Sequence, residues 1–181
     1  MKPPISRRSF VAAGVTAAAV PSHAASSEWL YFEPEEVRLL DALCAQIIPA
    51  DEDPGAREAD VPRYIDRQLT GPLKRFAPFY RNGLPALDAA CRKTTGRSFL
   101  DLDFEAQTAF LDRVDKNDVQ DGGWVGQSAA SFFQMVVDHT MQGFYGSPRH
   151  GGNKDEASWK MLGIAQHMGH GPHGHGSGEP Q

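Results

Sequence analysis

The stretch from Gln127 to Gln142 is the most apolar in the chain, and it sets the terms for the rest. Ala129, Phe132, Phe133, Val136, Val137, Thr140 and Met141 cover more than one stripe of a helix, so this segment is expected to run through the middle of the fold. Gly143 is its expected C-terminal glycine. Four earlier segments carry single apolar stripes suited to packing around it. The first is marked by Pro34, with Glu35 and Glu36 in its opening turn, carries Val37, Leu40, Cys44 and Ile47, and ends at Pro49. The second has Asp60 as its expected cap, Pro62 in its first turn, Val61, Ile65 and Leu69 facing inward, and Gly71-Pro72 as its stop. The third runs from about Leu73 to Lys93 with Phe76, Tyr80, Leu84, Leu87 and Cys91 on one side and Gly96 closing it. Pro85 is expected to kink it near Arg81, with Gly83 easing the bend. The fourth follows Asp103, a good cap, and holds Phe104, Leu111 and Val114. The polar run from Asp115 to Gly123 reads as a mobile loop. No segment alternates with period two, so the fold is expected to be all-α, one compact domain of five or six helices with long ordered loops.

A leader precedes this domain. Arg7 and Arg8, then Phe10, the weakly apolar run Val11 to Val20 and the small-residue site at Ala24 and Ala25 form an export signal of the twin-arginine kind, followed by the domain over 28–166. Val11 to Val20 holds no Leu or Ile and includes Gly14 and Thr16, so it is less apolar than an ordinary secretory core and too short to span a bilayer. Twin-arginine routes carry folded cargo, which implies a chain that folds around something before export or escorts a protein that does. The translocation machinery is therefore an expected partner and the periplasm the expected destination.

Removing residues 1–24 takes Lys2, Arg7 and Arg8 and no acids, which moves the formal charge from −5 to −8. That surface argues against nucleic acid. Cys44 and Cys91 fall on apolar helix faces, where buried free thiols are favoured over a bridge. The loop from Pro49 to Asp60 is acidic, but its spacing fails a calcium loop. With Asp51 and Asp53 at positions one and three, Gly55 falls at five instead of six and Pro62 stands where the closing Glu belongs. The tail over 167–181, with His167, His170, His173 and His175 among glycines, is expected to stay disordered. A second reading makes the chain a free-standing periplasmic metal-binding protein using those four imidazoles.

The glycine-rich loop after the central helix is unusually specified. In Gly143-Phe144-Tyr145 through Pro148-Arg149-His150-Gly151-Gly152-Asn153, the Gly-Gly pair permits positive φ or a close backbone approach and Asn153 tolerates the left-handed region. Trp159 can pin the loop to the core. Together with Ile47-Ile48-Pro49-Ala50-Asp51, Pro54-Gly55-Ala56, Tyr64-Ile65-Asp66-Arg67-Gln68-Leu69, Gly83-Leu84, Leu87-Asp88, Phe99, Leu102 and Gly163, this loop resembles the small (third) subunit of the membrane-associated FAD-dependent gluconate, fructose and glucose dehydrogenases. One departure is His150, where the family reads Tyr before Gly-Gly-Asn. The resemblance implies a non-catalytic subunit with no cofactor of its own. Its partners would be an FAD-dependent GMC-type large subunit, stabilised and carried across the membrane on this chain's leader, and a multihaem cytochrome c subunit. The complex would be peripheral to the inner membrane on the periplasmic side, and the face that grips the large subunit is expected to include Asp51, Pro54, Gly55, Arg149, His150, Gly151, Gly152, Asn153 and Trp159.

The residues themselves offer little catalytic chemistry. A dinucleotide site needs a strand, GxGxxG and a helix, and the nearest match, Gly122-Gly123-Trp124-Val125-Gly126, has no strand before it. His139 and Asp138 are adjacent in sequence and so point to different helix faces, which does not make a catalytic pair. A lone His in that turn is expected to pack in the core or meet the helix dipole.

Overall fold

The computed structural model describes residues 29–164; the leader, with Arg7, Arg8, Phe10, Ala24 and Ala25, and the His-rich tail lie outside the described residues. The described chain is helical: α1 (Pro34–Ile47), α2 (Val61–Leu69), α3 (Ala77–Thr95), α4 (Phe104–Asp115), α5 (Ala129–Tyr145) and α6 (Ala157–Met161), with short 3-10 turns between them. Helix α5 packs against each of the other five, so the most apolar segment is the hub of the fold. Among the described residues no helix is long and apolar enough to cross a membrane.

The helix ends follow the sequence with two exceptions. Asp103 caps α4 by accepting from the Ala106 N–H at 2.9 Å, and Gly96 closes α3 at φ 80°. Helix α1 starts with a capping box in which the Glu36 carboxylate accepts from the Glu33 N–H. Asp60, the expected cap of α2, instead sits in the left-handed region at φ 57° with no capping bond, and its carboxylate lies 3.5 Å from Arg63. Gly143 is inside α5, not after it; the helix runs one turn further and Gly146 is its C-cap.

Close packing explains what periodicity could not. A Cβ on Gly143 would lie 2.7 Å from the Tyr64 ring, so this glycine lets α2 press against α5. Gly83 does the same for α3: a Cβ there would overlap the Phe132 ring. Pro85 lies within α3, and Gly83 is a point of helix contact. The loop before α5 is held down on α3, with Lys93 Nζ donating to the Asp121 carbonyl at 2.6 Å and Gly122 seated on the Ala86 carbonyl. Phe104, expected in the core, is 54 % exposed at the first turn of α4, while Phe110 takes the buried position. Cys44 and Cys91 are free and buried, and burial pushes the Cys44 thiol up to about 12, which leaves it protonated and unreactive.

Candidate partner-binding face

Helix α2 organises one side of the molecule through two faces that the core does not use. Val61, Ile65 and Leu69 point inward. Asp66, one position on from Ile65, is fully buried and collects the chain as it enters the domain. Its Oδ2 accepts from the Leu30 N–H at 2.7 Å, and its Oδ1 accepts from Tyr31 at 2.9 Å and Phe32 at 3.0 Å. The same segment is gripped from α3. Arg81 donates to the Tyr31 carbonyl at 2.8 Å, stacks its guanidinium 4.5 Å from the Tyr31 ring centre and pairs with Glu36 at 2.5 Å. Tyr31 donates its hydroxyl to the Ala77 carbonyl, and Arg63 lies over the Trp29 ring at 4.6 Å. The four residues Trp29 to Phe32, which enter the domain, are thus fixed by a buried carboxylate and two guanidinium groups.

The other face of α2, with Tyr64, Arg67 and Gln68, carries the loop over 148–153. Gln68 Nε2 donates to the His150 carbonyl at 3.2 Å, and Gly151 takes φ 102° beside the Arg67 side chain, which a Cβ there would meet at 3.0 Å. Gly152 has an ordinary φ; what it provides is proximity, since a Cβ there would meet the Gly143 carbonyl carbon at 2.9 Å and its oxygen closer still. The two glycines therefore divide the roles expected of the pair. Asn153 follows at φ 46° and is 0 % exposed. Its Oδ1 accepts from the Ser158 N–H and its Nδ2 donates to the Gly146 carbonyl, both at 2.9 Å. Trp159 Nε1 donates to the Tyr145 carbonyl at 3.0 Å, pinning α6 to the end of α5.

The acidic loop reaches the same face. The Lys154 N–H donates to the Ala59 carbonyl at 3.1 Å, which joins the two loops expected to form the grip. The acidic loop is firmly built: Ala56 and Ala59 are buried, and the Gly55 N–H donates to Glu58 at 3.0 Å while its α-carbon sits against the backbone of Ile48 and Ala50. Of the nine residues expected at the interface, Asp51, Arg149 and His150 are exposed, and Pro54, Gly151 and Trp159 are half-buried. Gly55, Gly152 and Asn153 are buried, so they can act on a partner only by shaping the surface, a correction to their expected role as contacts. Neither Asp66 nor Arg81 is recognisable as an anchor from spacing: an acid one position from a core residue reads the same whether it is buried or solvated.

His139 packs in the core as expected. It is 3 % exposed, stacked on Tyr80 with Nδ1 3.0 Å from the Tyr80 hydroxyl, and meets the Phe76 ring edge at 4.9 Å. Burial lowers its pKa more than neighbouring Asp138 raises it, so the imidazole titrates below its ordinary 6.5. A depressed folded-state value means that stability is full above the unfolded value and is lost as pH falls through the folded one. Urea unfolding followed from pH 7 downward should show this loss below about 6.5, and Tyr80→Phe with His139→Phe should flatten it. An unchanged slope in the double variant would assign the acid sensitivity elsewhere.

No curated protein and no solved structure matches the chain. The family model described as gluconate 2-dehydrogenase subunit 3 matches residues 34–165, which takes in all six helices, the acidic loop and the loop over 148–153. The chain belongs to the gluconate 2-dehydrogenase subunit 3 family.

Proposed function

We propose that this chain is the non-catalytic small subunit of a periplasmic, membrane-associated FAD-dependent sugar or sugar-acid dehydrogenase, and that it stabilises the flavoprotein subunit and carries it through the twin-arginine pathway. Family membership over 34–165 carries the reading. The leader residues Arg7, Arg8 and Phe10 supply an address, and the clamp on Trp29 to Phe32 is consistent with a leader tethered to a folded domain. FAD and haem c belong to the partners in this reading: a GMC-type large subunit that performs the oxidation and a multihaem cytochrome c that takes the electrons. The gripping face is the pair of loops joined at Ala59 and Lys154, with Asp51, Arg149 and His150 exposed on it.

The test is co-expression of the full chain with the flavoprotein large subunit. Arg7→Lys with Arg8→Lys should leave the flavoprotein, with its FAD, in the cytoplasmic fraction, while the two chains still co-purify. A flavoprotein that reached the periplasm unaided would end the escort reading.

A further inference from the structure

The sequence holds one Asp-Gly pair, Asp121-Gly122, and one Asn-Gly pair, Asn82-Gly83. Both are chemically labile, because glycine has no side chain to shield its nitrogen from the side-chain carbonyl carbon of the residue before it. In an unfolded chain the Asn-Gly pair reacts first, since an ionised carboxylate is a poorer electrophile than an amide. The fold reverses that order. Asn82 and Gly83 lie inside α3, where the Gly83 N–H is committed to the helix ladder and helical ψ holds its nitrogen away from the Asn82 side chain. Gly83 is also buried against the Phe132 ring. Asp121 and Gly122 stand in irregular backbone before α5, with Asp121 exposed.

Three features of the loop favour reaction at Asp121. Its Oδ1 accepts from the Gly123 N–H at 2.8 Å, an Asx turn that holds the carboxyl beside the intervening Gly122 peptide. Among the described residues the Gly122 N–H donates to no acceptor, so this nitrogen is not tied into the fold. Lys93 Nζ donates to the Asp121 carbonyl at 2.6 Å. That carbonyl is conjugated with the Gly122 nitrogen, so an ammonium on its oxygen stabilises the amide anion that attacks. The fold also depends on both members of the labile pair. A Cβ on Gly122 would overlap the Ala86 carbonyl oxygen, and Asp121 supplies the side-chain acceptor of the turn.

We propose that Asp121 is a site of spontaneous backbone isomerisation, promoted by Lys93. The Gly122 nitrogen bonds to Asp121 Cγ, and the carboxyl hydroxyl and the amide hydrogen leave as water. A second water opens the five-membered ring. Opening at Cγ restores aspartate; opening at the backbone carbonyl gives isoaspartate, in which the chain runs through Cβ and Cγ and is one methylene longer. The added methylene displaces a loop that seats Gly122 on Ala86 and Trp124 against Phe132 at 5.8 Å. The test ages the purified full chain at neutral pH, folded and in urea, and maps isoaspartate by electron-transfer fragmentation of its peptides. In the folded chain residue 121 should isomerise while Asn82 stays intact, and in urea Asn82 should react first. An unmodified Asp121 in the folded chain, or Asn82 reacting ahead of it there, overturns the site. Asn82 equally slow in urea overturns its protection by α3. Lys93→Met, at an exposed position, should slow isomerisation roughly five-fold, the net worth of one hydrogen bond, and Lys93→Arg should restore it. A loop merely loosened by losing Lys93 would react faster, so an unchanged or raised rate in Lys93→Met overturns the role of the ammonium.

Discussion

Replacing Asp66 by Ala should cost roughly 3–5 kcal/mol of folding stability, the largest loss expected from any single polar side chain in the domain. Three backbone N–H groups, those of Leu30, Tyr31 and Phe32, converge on its two oxygens at 2.7–3.0 Å, and the carboxylate is fully buried. Removing it leaves three donors without an acceptor, one of them in the core. The loss should also spread, because Tyr31 holds the Arg81 guanidinium that pairs with Glu36, and Glu36 completes the capping box of α1. Asp66→Asn keeps one oxygen for Tyr31 and Phe32 but turns an amide toward the Leu30 N–H, so about half the effect is expected. Urea unfolding measures the loss, and limited proteolysis should find a new cut ahead of Pro34. Stability within about 1 kcal/mol of wild type in Asp66→Ala would show that the entering segment is not an integral part of the fold.

This clamp shows where the sequence was legible and where it was not. Helix number, the central place of α5 and the inward residues of α2 follow from apolar spacing, because burial imposes period 3.6 on any helix that faces a core. Spacing does not say how close two helices come. Gly83 and Gly143 read as a bend and a helix end, yet both are contact points where an aromatic ring of a neighbouring helix occupies the space of a side chain. Phe104 reads as inward on hydrophobicity alone, and lies at the exposed start of α4 where Gln46 reaches its carbonyl at 3.2 Å. Asp66 is the opposite case, a charged residue on a core helix satisfied inside by backbone groups that are 34 to 36 residues away in sequence. The loop over 148–153 was legible as specified because glycine and asparagine announce unusual backbone, but whether each glycine serves conformation or proximity depends on what lies across from it.

Helix α2 joins these features. Its buried carboxylate fixes the segment that enters the domain, and its outer residues Tyr64, Arg67 and Gln68 support the loop proposed to grip the partner. The clamp on the entering segment and the support of the proposed partner face are therefore two sides of one nine-residue helix. A domain that has not formed α2 presents neither.

Asn153→Ala should cost about 3 kcal/mol and abolish the shape of the partner face, the second large effect expected. Asn153, Asp155 and Glu156 all hold positive φ, at 46°, 55° and 59°, which is unfavourable backbone for residues with a Cβ. The surrounding structure has to enforce it. Asn153 does so from the inside, with Oδ1 held by the Ser158 N–H and Nδ2 by the Gly146 carbonyl, so its side chain ties the start of α6 to the end of α5 across the strained segment. Alanine removes both bonds in a fully buried position and loses the tolerance of asparagine for the left-handed region. Asn153→Asp keeps the acceptor but sets a carboxylate oxygen against the Gly146 carbonyl, and should cost nearly as much. Gly152→Val should act from the neighbouring position by driving a side chain into the Gly143 carbonyl, a clash that no rotamer relieves. In each variant the Trp159 indole should lose its bond to Tyr145, so a red-shifted tryptophan emission and weaker retention of the flavoprotein subunit are expected together. Retained partner binding in a variant whose tryptophan emission has shifted would separate the loop from the grip and leave the acidic loop as the proposed contact.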